Sequence, residues 1–151
     1  MLMTAADYRE SLRRYKPRVF VDGRSIESVA DEASLQPGIN ALGVTYDFAH
    51  RAELAPLMLA VQASSGKTVN RMLHVDASSA DLLNKLEAVR VLCQETGCAQ
   101  RYLVHDGMAA IGQSAARVDA DKGSRYRERF TAYLHDVQDR DLSLGIAMTD
   151  A

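Results

Sequence analysis

A short polar segment, Gln100–Asp106, contains residue types that readily do chemistry. Arg101 and His105 are four residues apart and share one face if the segment is helical. An arginine can bind a carboxylate, phenolate or phosphate through two hydrogen bonds, and a histidine can exchange a proton near neutral pH. The simpler interpretation is a surface helix with an Asp–Arg or Asp–His pair. Spacing alone favours that interpretation, because structural ion pairs are common.

The two cysteines, Cys93 and Cys98, are too few for the disulfide framework of a secreted protein. Their spacing, without a nearby His-x3-His, does not make a zinc pattern. Cys93 falls on an apolar helix stripe, where a thiol packs as a small hydrophobic group. Cys98 follows Gly97 at a predicted helix junction, where a helix N-terminus favours reactivity or ligation. A structural role is the commoner outcome for a lone cysteine at such a position.

Ser65-Gly66-Lys67-Thr68 resembles the end of a phosphate-binding loop. Val61 stands where the first glycine of that motif is required, and the preceding segment is predicted to be helix instead of strand. We therefore predict an ordinary connecting loop over Ala63–Lys67. Three further histidines have no partner at metal-ligand spacing: His50, His74 and His135.

The elements that position these residues are predicted from hydrophobic spacing and capping residues. They indicate a mainly α-helical domain with one small β-hairpin near the N-terminus, over Arg18–Val29, turning at Asp22-Gly23. A loop is predicted at Asp31–Pro37, and Thr68–Val75 is either strand or extended loop. The predicted helices are Ala5–Tyr15, Gly38–His50, Ala52–Gln62 (starting near Leu54 because of Pro56), Ser78 or Ser79 to Gly97, Ala99 to about Asp119, and Ser124–Asp139, with a break at Asp119–Gly123.

Three helices carry more specific expectations. The helix before Gly97 has an apolar stripe that consists of Leu82, Leu86, Val89 and Cys93. The last helix has an apolar side that consists of Tyr126, Phe130, Tyr133, Leu134 and Val137. Gly107 and Gly112 lie inside the helix between them, and each costs about 1 kcal/mol relative to alanine there.

Length and composition are those of one globular domain: 151 residues, of which 47% are hydrophobic. The 18 basic and 20 acidic residues give a formal net charge of −2, which argues against a dedicated nucleic-acid-binding protein. No apolar run is long enough to span a membrane, and the N-terminus has no signal-peptide pattern, so we predict a cytoplasmic protein. The apolar segment Leu142–Ala151 is typical of a chain that packs against something or continues.

Several segments, taken in order, are similar to one enzyme family, that of 4-hydroxyphenylacetate 3-hydroxylase and 4-hydroxybutyryl-CoA dehydratase. The resemblance covers essentially the whole chain. The segments are Met1–Tyr8, Arg18-Val19 with Asp22-Gly23, Pro37–Asn40 with Thr45-Tyr46, Gly66–Arg71, Leu92–Asp106 and the flavin-side motif that begins at Ala147–Asp150. The resemblance implies the helical N-terminal domain of an acyl-CoA dehydrogenase-like flavoenzyme. A central β-domain and a C-terminal helical bundle are expected beyond this chain, and a homo-oligomer is expected for the whole enzyme.

The favoured branch of the family is the flavin-dependent monooxygenase that hydroxylates a small aromatic substrate. This resemblance implies reduced FAD supplied by a separate flavin reductase component, and O2 as the oxidant. Arg101 and His105 would be catalytic, and Arg101, Tyr102 and His105 would contact the substrate. The flavin would be approached by Met148, Thr149 and Asp150. His105 stands where the family has Tyr, Ile146 where it has His, and Ala109 where an Asn is common.

The alternative branch is the dehydratase, which the resemblance associates with FAD and a [4Fe–4S] cluster. Cys98 matches the first cysteine of the Cys-x3-Cys that holds the cluster, but Tyr102 replaces the second. A phenol is a poor substitute for a cluster thiolate, so no metal is expected unless this branch applies. A third hypothesis is an inactive helical fragment or interaction domain, because family membership does not establish activity in a single domain.

Overall fold

The computed structural model describes residues 1–98 and 101–146. Over these residues the α-helices are α1 (Ala5–Arg14), α2 (Gln36–Asp47), α3 (Ala55–Met58), α4 (Ser79–Thr96), α5 (Tyr102–Lys122) and α6 (Tyr126–Asp139). The strands are β1 (Val19–Val21), β2 (Arg24–Ile26), β3 (Leu59–Val61) and β4 (Thr68–Asn70). Single 3-10 turns cover Ala33–Leu35, Phe48–His50 and Arg71–Leu73. None of the helices in this part of the chain is long and apolar enough to cross a membrane.

Helix α1 begins as predicted, with a reciprocal cap between Thr4 and Asp7. The Asp7 amide donates to Thr4 Oγ1 at 3.1 Å, and the Thr4 amide donates to Asp7 Oδ2 at 2.9 Å. The helix ends at Arg14, one residue before the predicted end. Tyr8 is buried on its inner face and stacks on Tyr46 of α2, with ring centroids 5.1 Å apart. Local capping therefore starts the helix, and an aromatic pair attaches it to α2.

The predicted hairpin is confirmed, with β1 antiparallel to β2 and Val19 opposite Ile26. Asp22 and Gly23 both have positive φ, at 49° and 76°, which suits the right-handed twist of a two-residue hairpin. The following helix starts earlier than predicted, at Gln36, because Pro37 fits its first turn. The predicted loop before it contains the 3-10 turn at Ala33–Leu35.

A second hairpin replaces most of the helix predicted over Ala52–Gln62. That prediction is wrong beyond Met58, because the chain becomes extended at Leu59 and pairs with β4, so that Leu59 lies opposite Asn70. Pairing between distant segments overrides local helical preference here. Gly66 has a φ of +67° in the connection, so the Ser65–Thr68 motif is a hairpin turn, in agreement with the predicted loop.

Helix α4 has the predicted ends but a different buried face. The Asp81 amide donates to Ser78 Oγ at 3.1 Å, and Gly97 ends the helix with a φ of +74°. The predicted apolar stripe is wrong as the core face, since Leu82 and Leu86 are 46% and 57% exposed. The buried residues of α4 are Lys85, Ala88 and Leu92. The helix is therefore oriented by a buried lysine, whose partners are described below.

Helices α5 and α6 form an antiparallel pair around a small core of Val104, Met108 and Leu134. Helix α5 continues through the predicted break to Lys122, and Gly123 ends it with a φ of +63°. The Asp119 carboxylate accepts hydrogen bonds from the amides that open α6. On α6 the prediction is correct for Leu134 and Val137 but wrong for two tyrosines, which are half exposed: Tyr126 and Tyr133.

The two glycines inside α5 lie where other side chains approach closely. A Cβ atom on Gly112 would be 2.9 Å from Phe130 Cε1 of α6, and one on Gly107 would be 2.7 Å from Ile146 Cδ1. The atoms nearest Gly112 belong to the rigid ring of Phe130. Ile146, near Gly107, is 47% exposed, and its terminal methyl can move. The helix-propensity cost at Gly112 is therefore linked to close packing between α5 and α6.

Replacing Gly107 with Ala is expected to raise the free energy of unfolding by about 0.5–1 kcal/mol, because alanine favours the helix and Ile146 can turn away. Chemical denaturation of the 151-residue chain measures the change. Gly123→Ala is the matched control and should lower the free energy by about 1 kcal/mol or more, because of its positive φ. A loss above about 1 kcal/mol for Gly107→Ala would show that Ile146 cannot move.

Candidate functional site

Arg101 stands immediately before α5 and is almost completely buried, with 2% exposure. Its Nη2 atom donates to Asp141 Oδ1 and to the Leu142 carbonyl oxygen, both at 3.0 Å. Its guanidinium also lies 4.4 Å from the centre of the Tyr46 ring. The surface-helix interpretation is therefore wrong for Arg101: an Asp–Arg pair does form, but with a buried aspartate 40 residues away.

Asp141 connects this arginine to the beginning of the chain. Its Oδ2 atom accepts a hydrogen bond from the Met3 amide at 3.0 Å, and its backbone has a positive φ of 47°. The Tyr46 hydroxyl donates to the Asp141 carbonyl oxygen at 3.1 Å. Within the described residues, Arg101 Nε and Nη1 are buried and have no hydrogen-bond partner. Arg101 thus connects the start of α5 to Tyr46 of α2, to the Asp141–Leu142 segment and, through Asp141, to Met3. Its Nε and Nη1 groups have no hydrogen-bond partner among residues 1–98 and 101–146.

His105, one turn further along α5, lies between two carboxylates. Its side chain has no exposed surface. The His105 Nε2 atom is 3.6 Å from Asp76 Oδ1, and its Nδ1 atom is 3.7 Å from Asp106 Oδ1. These distances are too long for direct hydrogen bonds but short enough for strong electrostatic interaction. A histidine flanked in this way can take up or release a proton toward either side.

Lys85 completes the group, which we call the His105 cluster: Asp76, Lys85, His105 and Asp106. The Lys85 ammonium lies 3.2 Å from Asp76 Oδ2 and 2.9 Å from Asp106 Oδ1, so it bridges both carboxylates. The buried lysine face of α4 follows from this cluster, because an ammonium taken out of water needs such partners.

The pKa values of the cluster respond to burial and to these neighbours. Burial lowers the pKa of His105, which the two aspartates oppose only in part. Burial also acts to lower the pKa of Lys85, but its bonds to Asp106 and Asp76 outweigh this and raise it. Burial acts to raise the pKa of Asp106, but Lys85 and Tyr102 together outweigh this and lower it. His105 is therefore held neutral beside an ionised Lys85–Asp106 pair near neutral pH.

A second buried histidine adjoins the cluster. His74 is 2% exposed, and its Nε2 atom is 3.5 Å from Asp81 Oδ1 near the start of α4. Sequence reasoning missed Asp76 and Lys85 as site residues and assigned His74 no partner. The sequence contained one weak indication that Lys85 is buried, which is its helical spacing from Ala88 and Leu92, two residues that are buried in the structure.

A cavity of about 500 Å³ adjoins Asp76, between α5, α6 and the β3–β4 hairpin. Apolar groups supply much of its wall, and Gln62, Ser64 and Arg127 are among its polar residues. The apolar wall includes Val75, Ala109, Gly112, Phe130 and Leu134. Asp76 is thus the member of the His105 cluster that also lines the cavity.

The other candidate residues from the sequence, which are the two cysteines and the predicted flavin contacts, are not among the residues of the His105 cluster. Cys98 is exposed and Cys93 is half-buried, both as free thiols. Among the residues described, no group of three or more His, Cys, Asp or Glu side chains could hold a metal ion. Three predicted flavin contacts, Met148, Thr149 and Asp150, lie outside the described residues.

A family described as 4-hydroxyphenylacetate 3-hydroxylase N terminal matches residues 4–151, so the chain belongs to this family. The match agrees with the resemblance found in the sequence. It defines the class of protein to which the Arg101 and His105 sites belong.

Individual members of the family show which branches the chain is similar to. The 4-hydroxybutyryl-CoA dehydratase/vinylacetyl-CoA-Delta-isomerase of Clostridium aminobutyricum is 38% identical over 151 residues, which are 99% of this chain and 31% of that protein. An oxygen-tolerant archaeal 4-hydroxybutyryl-CoA dehydratase from N. maritimus is 33% identical with a TM-score of 0.89, over 95% of this chain and 28% of that one. The chain therefore spans about a third of the length of these relatives.

A structure of the hydroxylase branch has the same fold at lower identity. The oxygenase component of 4-hydroxyphenylacetate 3-monooxygenase, complexed with FAD and 4-hydroxyphenylacetate, gives a TM-score of 0.74 at 19% identity. The match covers 93% of this chain and 29% of that one. Together with the dehydratase match, it confirms the predicted helical N-terminal domain.

Proposed function

We propose that this chain is the N-terminal domain of a flavin-dependent enzyme that acts on a short acyl-CoA thioester, as a dehydratase or double-bond isomerase. The observation that carries this proposal is the 38% identity to the dehydratase/isomerase along 99% of the chain. FAD in the related hydroxylase structure supports a flavin in the family. Bound flavin would supply electron transfer, with Met148, Thr149 and Asp150 proposed to approach it.

The His105 cluster is suited to the proton transfers that such reactions need. Loss of water from a hydroxyacyl thioester and relocation of its double bond both require a group that accepts and returns a proton. His105 is held neutral and can accept one, and Asp76, whose Oδ1 atom is 3.6 Å from His105 Nε2, is among the residues that line the cavity. We assign His105 as the proton-transfer residue. Arg101 and Tyr102 are proposed to bind substrate, Arg101 through the two N–H groups that have no hydrogen-bond partner among residues 1–98 and 101–146.

The cysteine pattern that the family resemblance associates with an iron–sulfur cluster is incomplete in this domain. Tyr102 occupies the position of the second thiolate ligand, and the one remaining candidate in the motif, Cys98, is exposed. A phenol is a poor ligand for such a cluster. No step of the proposed mechanism passes through a metal.

A second candidate function is hydroxylation of a phenol with reduced FAD and O2, and Tyr102 is the observation that favours it. Replacement of a cluster thiolate by a phenol removes a feature of the dehydratase branch and leaves Arg101 and His105 as polar groups for an aromatic substrate. This candidate includes a flavin reductase component as partner. A homo-oligomer and the further domains of the family are proposed for both candidates.

The two candidates are separated by assaying the intact enzyme with each substrate. We expect conversion of 4-hydroxybutyryl-CoA or vinylacetyl-CoA to but-2-enoyl-CoA by purified, flavin-loaded protein, with iron and acid-labile sulfide below stoichiometric amounts. The matched assay uses 4-hydroxyphenylacetate with chemically reduced FAD and O2, and detects the catechol product. Catechol formation without thioester turnover would favour the second candidate. A stoichiometric iron–sulfur cluster would contradict the interpretation that Tyr102 has replaced a cluster ligand.

A further inference from the structure

We propose that the cavity between α5, α6 and the β3–β4 hairpin binds a linear aliphatic carboxylate that carries a carbonyl group at the opposite end of its chain. The carboxylate would bind Arg127 at one end of the cavity. The carbonyl oxygen would accept a hydrogen bond from the Gln62 side chain at the other end. This second ligand site lies apart from Arg101 and the His105 cluster, and the proposal does not depend on the proposed function.

The cavity is separate from the proton-transfer residue. Of the four residues of the His105 cluster, Asp76 alone lines the cavity. Both Asp76 carboxylate oxygens are buried, and they face Lys85 at 3.2 Å and His105 at 3.6 Å. The Asp76 charge is therefore paired on the Lys85 and His105 side, and a ligand in the cavity must be recognised by other polar groups.

Gln62 supplies a hydrogen-bond donor at the first end of the cavity. It is almost completely buried, with 4% exposure, and it lines the cavity. Its Oε1 atom accepts from the Val75 amide at 3.1 Å and from Gln138 Nε2 at 2.8 Å. Because a backbone amide can only donate, the Val75 contact fixes which side of the Gln62 amide group is oxygen. Gln62 Nε2 thus has no hydrogen-bond partner among residues 1–98 and 101–146, and such a donor calls for an acceptor.

Arg127 supplies a positive charge at the second end of the cavity. The salt bridges around α6 are those of Arg125 with Glu128 and of Arg140 with Asp136, so Arg127 has no such partner in the described part of the chain. The nearby Asp119 carboxylate is occupied by the backbone amides that open α6. An unpaired guanidinium at the edge of an apolar space favours a carboxylate, which it can bind through two hydrogen bonds.

The distance between these groups sets the length of the ligand. The cavity wall consists of residues 109–116 of α5 and 127–134 of α6, which are antiparallel, and seven residues of helix rise by about 10 Å. Gln62 bonds to Gln138, one turn beyond this part of α6, and so lies at the opposite end from Arg127. The wall between them is mainly apolar, and the volume of about 500 Å³ is in the range of small-molecule sites. A hydrocarbon chain with a polar group at each end fits this arrangement.

The test is an NMR titration of the ¹⁵N-labelled 151-residue chain with 6-oxoheptanoate near pH 7. Two related compounds each remove one group: heptanoate lacks the carbonyl, and 6-oxoheptanamide lacks the negative charge. We expect 6-oxoheptanoate to bind at least about fivefold more tightly than either compound, because each comparison removes one of the two polar interactions. The shifted amides should lie in residues 109–116 and 127–134.

A variant tests the charged end of the cavity. Arg127→Met should weaken binding of 6-oxoheptanoate at least about fivefold and leave binding of the uncharged 6-oxoheptanamide unchanged. Arg129→Met is the matched control, because Arg129 is exposed on the same helix and does not line the cavity, and it should bind both compounds as the original chain does. Gln62 is tested through the ligands, since its replacement would break two buried hydrogen bonds.

Three results would overturn the proposal. The first is equal affinity for heptanoate and 6-oxoheptanoate, which would remove Gln62 from recognition. The second is unchanged binding of 6-oxoheptanoate by Arg127→Met. The third is a titration in which the shifted amides lie away from the cavity wall. None of these results bears on thioester or phenol turnover by the intact enzyme, so the proposed function is judged separately.

Discussion

Replacing His105 with Gln is expected to lower kcat of the intact enzyme by about 10²–10⁴-fold, the usual contribution of a general acid–base group. Glutamine preserves much of the size and polarity of the ring but cannot exchange a proton. The steady-state rate with the preferred substrate measures the effect, and flavin content checks that the variant is loaded. The exposed His50→Gln serves as the control and should retain full activity. Activity within about twofold of the original for His105→Gln would remove His105 from the mechanism.

The pH profile distinguishes a proton-transfer role from a structural one. Because burial lowers the pKa of His105, the neutral form persists below the ordinary histidine value of about 6.5, and the acidic limb of kcat/KM should lie below that pH. The Lys85 charge contributes to this lowering. Lys85→Met should therefore raise the pKa and move the limb to higher pH. Lys67→Met, which removes an exposed partner of Asp139, should leave the limb unchanged.

The same shift has a defined sign for stability. Between the lowered pKa of folded His105 and about 6.5, the unfolded chain binds more protons than the folded chain. The contribution of His105 is therefore complete above about pH 6.5 and is lost as pH falls through that interval. In His105→Gln the free energy of unfolding, measured by chemical denaturation, should lack this decrease over the same pH interval.

Replacing Arg101 with Met is expected to lower the free energy of unfolding by about 3–5 kcal/mol, because it leaves the Asp141 carboxylate buried without its counter-charge. Asp141 is 1% exposed and would keep its hydrogen bond from the Met3 amide, but no cation. The packing of the guanidinium on Tyr46 would be lost as well. Urea denaturation of the 151-residue chain near pH 7 measures the loss.

A matched surface pair and a double variant test the explanation. Arg140→Met, in an exposed ion pair with Asp136, should cost less than about 1 kcal/mol. Adding Asp141→Asn to Arg101→Met should recover part of the loss, because the uncompensated charge disappears. A loss below about 1 kcal/mol for Arg101→Met would mean that the buried pair does not hold α5 to the chain ends.

Features that depend on neighbouring residues were correctly predicted from the sequence. The Thr4 cap, the Asp22-Gly23 turn and the Gly97 end of α4 each arise from groups within a few residues of one another. Capping hydrogen bonds and positive φ angles are local interactions, so the residue types alone indicate them. The family resemblance rests on the same kind of information, which is the order and spacing of residues.

Features that depend on distant partners were not predicted. Leu59–Val61 continues a helical pattern in sequence but forms a strand because Thr68–Asn70 pairs with it. Leu82 and Leu86 have the spacing of a core stripe but lie at the surface, because Lys85 is drawn inward by two carboxylates. Periodicity describes one face of a helix and does not identify the face that a buried charge turns inward.

By itself, the sequence identified Arg101 and His105 as candidate residues, the mainly helical fold and the family. Only the tertiary structure assigned their partners, which are Asp141 for Arg101 and Asp76 and Lys85 for His105. Side-chain chemistry can be read from residue type, but burial and charge pairing depend on which distant segments pack together. Those two quantities determine the protonation state of His105 and the availability of Arg101, and therefore what the site can do.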